Sequence, residues 1–61
     1  MSEYPVTADE LMAFEDGRLG PGEVIDMFQR LIDSGMAWRL QGSYGRTARG
    51  LIDAGYCEEA A

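Results

Sequence analysis

Apolar and polar positions alternate with a helical period over most of this chain, most clearly between Pro21 and Gly35. Val24, Ile25, Met27, Phe28, Leu31 and Ile32 recur at i, i+1, i+3, i+4, i+7 and i+8. They cover roughly 160° of a helical wheel at 100° per residue. Glu23, Asp26, Gln29, Arg30 and Asp33 fill the other side, with Asp26 and Arg30 in the favourable i, i+4 orientation. Pro21 suits the first helical position, where its missing N–H has no intrahelical partner, and Gly35 marks the end. The stripe is wider than one small neighbour covers, which predicts a core and an interface on the same helix.

A shorter helix precedes it. The stretch 7-TADE-10 is a capping box: the Thr7 hydroxyl is placed for the third helical amide, and Glu10 reaches back. Leu11, Met12 and Phe14 supply its apolar side, and Gly17 stops it. At barely two and a half turns it needs packing to persist. After Gly35, Met36, Trp38 and Leu40 alternate with Ala37, Arg39 and Gln41. That is strand periodicity in good helix formers, and we read 36–41 as a short helix with strand as the alternative. Trp38, the largest apolar side chain, is expected to anchor the core or an interface.

The last helix is expected from Ser43 to Ala54, ending at Gly55, with Ser43 as its cap after a break at Gly42. Tyr44, Ala48, Leu51 and Ile52 form one face and Arg46, Arg49 and Asp53 the opposite one. Thr47, Gly50 and Ala54 lie on a flank. A helix-interior glycine costs about 1 kcal/mol relative to alanine, so Gly50 makes sense if another backbone passes close by. The echo of 31-LIDSG-35 in 51-LIDAG-55 is read as shared helix-ending chemistry, with duplication as the alternative.

These elements predict an all-α mini-domain of three or four helices. It comprises an N-terminal arm at 1–6, one helical domain at 7–57 and a tail at 58–61. Sixty-one residues bury only about 60% of the surface the unfolded chain exposes. The single Cys57 excludes an internal disulfide, and with no histidine it cannot make a Cys/His zinc site. Self-association, or a fixed partner, is then the expected route to stability. The expected homodimer uses Val24, Ile25, Met27, Phe28, Leu31 and Ile32, with Trp38 and Leu51, as its core and pairing residues.

Missing residues also narrow the chemistry. There is neither His nor Lys, so imidazole bases, Schiff-base lysines and the P-loop lysine are all excluded. No enzyme, metal or cofactor is expected. The run 40-LQGSYGRTA-48 contains a G-x-x-G but no Walker spacing and no G-x-G-x-x-G. A glycine break and a helix start account for it better than a phosphate cradle, and a protein-binding role is the alternative.

Eleven acids against five arginines give a net charge of −6, all of it within residues 1–35. Between Arg39 and Arg49 there is no acid. Trp38, Arg39, Tyr44, Arg46 and Arg49 are therefore the candidate contacts for an acidic partner surface. Nucleic acid is a weaker expectation because the chain is acidic overall; mimicry of DNA phosphates by the acidic half is a further alternative. MSEYPVTADE lacks the basic start and apolar core of a signal peptide, and no apolar run reaches membrane length. A cytoplasmic protein with no membrane association is expected.

The stretches 14-FEDG-17, 28-FQRLIDSG-35, 37-AW-38, 40-LQGSYGRTA-48 and 51-LIDAGYC-57 carry a resemblance over about residues 13–57. The chain resembles a family of very short phage-encoded proteins, mostly of unknown function. Small phage proteins of this size frequently bind and inhibit a host protein, including components of antiviral defence. The resemblance implies such a partner, a nuclease- or helicase-containing system such as Hachiman being one conceivable target. It carries over no catalytic residue. A structural or assembly adaptor of the phage is the other reading.

Overall fold

The computed structural model describes residues 6–60. Three α-helices and one 3₁₀ turn follow in order: α1 (Ala8–Glu15), α2 (Pro21–Ser34), the turn Met36–Trp38, and α3 (Gly42–Asp53). No strand occurs among the described residues, so the domain is all-α and segment 36–41 is helical where it is regular. Residues 1–5 of the expected arm lie outside the described residues. Val6, its last residue, is buried in the core.

Local chemistry sets the helix limits. The Thr7 hydroxyl accepts from the Glu10 amide at 3.2 Å, and Glu10 Oε1 accepts from the Thr7 amide at 3.3 Å, closing the capping box. At the other end Gly17 takes a φ of +73°. Its N–H donates to Phe14 O and that of Arg18 to Ala13 O, the Schellman pattern that satisfies the last carbonyls. Gly20 precedes Pro21, and Glu23 Oε1 accepts from the Gly20 amide at 2.8 Å.

The two LID-x-G runs end their helices alike, at Gly35 (φ +83°) and Gly55 (φ +87°). After Gly55 the Tyr56 amide reaches Leu51 O directly at 2.9 Å. After Gly35 the Ser34 hydroxyl stands between, accepting from Met36 N–H and donating to Leu31 O. Helix termination thus explains the match, and also the one position, Ser34 against Ala54, where the runs differ.

α3 departs from expectation at its start. It begins at Gly42, with Gln41 as N-cap and no side-chain cap bond. Ser43 therefore sits inside the first turn, exposed, and does not cap it. The Gly42 backbone enters the helix because the chain has already turned at Arg39 and Leu40, whose amides both bond Met36 O.

The core is built on the α2 stripe. Met27, Phe28, Leu31 and Ile32 are buried with Val6, Ala37, Tyr44, Ala48 and Cys57. Phe28 packs edge-on against Phe14 at 5.2 Å between centroids and stacks on Tyr44 at 6.0 Å. The stripe is consequently spent inside its own chain, and only Val24 and Ile25 stay partly open. Trp38 does not anchor the core: it is 48% exposed, and small Ala37 takes the buried place. A 3₁₀ turn advances about 120° per residue, so the alternation of 36–41 does not map onto two faces.

α1 has no buried residue and is held by Phe14 and by polar ties. Arg30 donates to both Glu10 oxygens, at 3.0 and 2.5 Å, and pairs with Asp26 at 3.0 Å. The Arg30 hydrogen bond holds the Glu10 carboxyl below its ordinary value against partial desolvation. The tie is half open to water, so it contributes about 1 kcal/mol or less. The expected tail is fastened as well. Gln29 and the Glu58 backbone exchange two hydrogen bonds at 2.9 Å, and Glu59 pairs with Arg49 at 2.9 Å.

Candidate functional surface

The sequence-predicted contacts fall on one side of α3 and on the turn before it, except Tyr44. The turn lies near Gly45: a Cβ there would stand 3.6 Å from Ala37 O and 3.8 Å from Trp38 Cε3. The indole spreads along the helix surface to Arg49, whose Cζ is 5.8 Å from the ring centroid, within cation–π range. Arg49 is tied in turn to Glu59 at 2.9 Å and Asp53 at 3.8 Å. Arg39 and Arg46 are exposed and make no ion pair among the described residues. Arg46 folds back over the first turn, its Nη1 3.2 Å from where a Gly42 Cβ would be.

Tyr44 is buried at 6% exposure and supports this surface from below. Its hydroxyl donates to Glu15 Oε2 at 2.6 Å. Burial first, and the Glu15 carboxylate second, push its pKa up to about 12. It belongs to the core, where its face assignment placed it, and is not open to a partner.

Gly50 also falls differently. A Cβ built there meets nothing within 4 Å, so no backbone passes close by among the described residues. The preceding turn lies nearer Gly45, where a Cβ would meet it at ordinary contact distances. Replacing Gly45 by alanine should therefore raise stability by up to about 1 kcal/mol through helix propensity and leave Trp38 in place. Gly45→Leu should displace the indole. The chain has one tryptophan, so its emission reports this directly: unchanged in the alanine variant, red-shifted in the leucine variant.

Two concavities meet at Leu19, which sequence periodicity did not single out. One is an open apolar groove of about 470 Å³ lined by Leu19, Pro21, Val24, Ile25, Leu51 and Tyr56. The other, of about 430 Å³, is polar and lined by Glu10, Glu23, Asp26 and Arg30 with Leu19 and Gly22. Tyr56 is 61% exposed at the groove's edge; only its place just after the Gly55 helix end hinted that it would stand clear of α3. Cys57 is buried, its thiol near Ile25 O at 3.5 Å, and burial raises its pKa.

Among the described residues no group of His, Cys, Asp and Glu could hold a metal ion, and no helix is long and apolar enough to cross a membrane. The molecule offers surfaces and shallow grooves, carried on a three-helix all-α mini-domain. Over residues 1–61 the chain belongs to the family described as Domain of unknown function (DUF7417). No curated protein and no solved structure matches it.

Proposed function

We propose that this is a phage-encoded interaction protein that binds and inhibits a host protein, a component of an antiviral defence system containing a nuclease or helicase. It works in the host cytoplasm, as a homodimer, by covering a surface its target needs. The phage setting and the defence target rest on the family resemblance.

The observation that carries the binding role is the half-exposed Trp38 followed by the exposed Arg39, which makes no ion pair among the described residues, in a chain of net charge −6. Other arginines are spent on the fold: Arg18 pairs with Asp16, Arg30 with Glu10 and Asp26, Arg49 with Asp53 and Glu59. Contacts within the fold, of which Arg49 at 5.8 Å is one, give no reason for an indole left half exposed beside an exposed Arg39 that lacks an anion among the described residues. A partner presenting carboxylates around an apolar spot does, since Trp and Arg dominate binding hot spots.

A pull-down from infected host cells tests this. Wild type should recover one host protein, and Trp38→Ala/Arg39→Ala should lose most of it while remaining folded, because both side chains are exposed. Equal recovery by both would remove this surface from the proposal.

A further inference from the structure

A second flank of α3 is left largely open among the described residues. At 100° per residue, Ser43, Thr47, Gly50 and Ala54 lie on the side away from Trp38, between the buried face and the ridge of Arg46 and Asp53. Small residues only permit an approach; two other features say what approaches. Next to the flank, Leu51 and the exposed Tyr56 form the lip of the apolar groove, left open by the chain's own packing. Along the ridge, among the described residues, Arg46 makes no ion pair and Asp53 pairs with Arg49 alone, at 3.8 Å. A base near one end of a helix edge and an acid near the other are complementary to the same edge running in the opposite direction.

We propose that α3 pairs antiparallel with α3 of a second copy, about a twofold axis that crosses the flank between Thr47 and Gly50. Each Arg46 faces the partner's Asp53, and the Leu51–Tyr56 lip is covered at both ends. This rests on the homodimer reading above and moves the pairing surface from α2, whose stripe fills the core, to α3. The register is self-consistent. An axis midway between residues 48 and 49 sets position 43 against 54 and 47 against 50, so the small positions meet one another. It also brings Arg46 within two residues, about 3 Å of helix rise, of the partner's Asp53. A twofold repeats each contact. Gly50, with open space around it in one copy, then lies where two backbones come closest.

Light scattering and sedimentation on the full chain at micromolar concentrations test the pairing. Wild type should be a dimer. Gly50→Leu, whose side chain meets only solvent in a single copy, should weaken it about tenfold or more with the helical circular-dichroism signal kept. Arg46→Asp and Asp53→Arg should each weaken it similarly, and the double variant should recover most of the loss. Both single changes suit the helix dipole, acid toward the start and base toward the end, so weaker pairing would not come from a weaker helix. A monomeric wild type overturns the pairing and the homodimer together. A dimer of undiminished strength in all the single variants overturns this face alone and leaves homodimerisation standing. A double variant no stronger than the singles overturns the antiparallel register. Capture of a host protein is read separately, by the pull-down.

Discussion

Replacing Phe28 by alanine is expected to abolish the folded state at room temperature. Phe28 is fully buried and touches both other rings of the aromatic cluster. It is where α1, α2 and α3 share one contact, because Phe14 and Tyr44 also meet at 5.7 Å. Truncating a buried phenylalanine costs about 3–5 kcal/mol. A single core in a chain of this size rarely supplies more than about 3–5 kcal/mol in total, so loss and margin are equal. Self-association adds stability only at concentrations above its dissociation constant. Far-UV circular dichroism of Phe28→Ala should accordingly show an unfolded chain at low concentration. Phe28→Leu, which keeps most of the volume, should melt cooperatively at a reduced midpoint. A cooperative Phe28→Ala transition close to wild type would mean that the core is not centred on this ring.

Helix existence and limits were legible because each is written in local chemistry. The Thr7–Glu10 box, Pro21, and the left-handed Gly17, Gly35 and Gly55 all act within a few residues of themselves. The α3 start was not legible: Ser43 is a strong capping residue by type, yet the preceding turn delivers the chain to Gly42 already able to enter the helix. Of the two places expected for Trp38, core or interface, the structure removes the core, for a related reason. Its apolar size argues for burial, but whether a three-residue turn points it inward depends on what lies on the other side, and there α3 presents Ala37 with its space instead.

The candidate surface was half legible. Period alone puts Arg46 and Arg49 outward and Tyr44 inward, and the structure keeps all three so. Which arginines are neutralised could not be read, because it depends on contacts distant in sequence. Glu59 belongs to a segment that reads as a tail, yet it reaches Arg49, and among the described residues Arg39 and Arg46 make no ion pair. The two glycines also exchange roles: Gly45 takes the neighbouring backbone expected at Gly50, and Gly50 is left bare for another molecule.

Stability should fall steeply above pH 10, and Tyr44 should be the main cause. Buried, and donating to Glu15, its phenol is held neutral up to about 12, whereas an unfolded tyrosine ionises near 10. Between those values the unfolded chain releases a proton that the folded chain keeps, so stability declines as pH rises. Two units correspond to about 2–3 kcal/mol, a large share of the margin. Cys57 acts in the same direction from lower pH, since burial and then Asp33 raise its thiol. On the acid side Glu10 has the opposite sign. Its carboxyl is lowered by Arg30, so its small contribution is present above about pH 4 and lost as pH falls through the folded value. Urea midpoints measured from pH 7 to 11.5 separate Tyr44 from Cys57. Tyr44→Phe should cost about 1 kcal/mol at pH 7 through the lost hydrogen bond but flatten the curve above pH 10. Cys57→Ala should flatten only its earlier part. Parallel curves for wild type and Tyr44→Phe would show that the Tyr44–Glu15 tie does not hold α1 to α3 in solution.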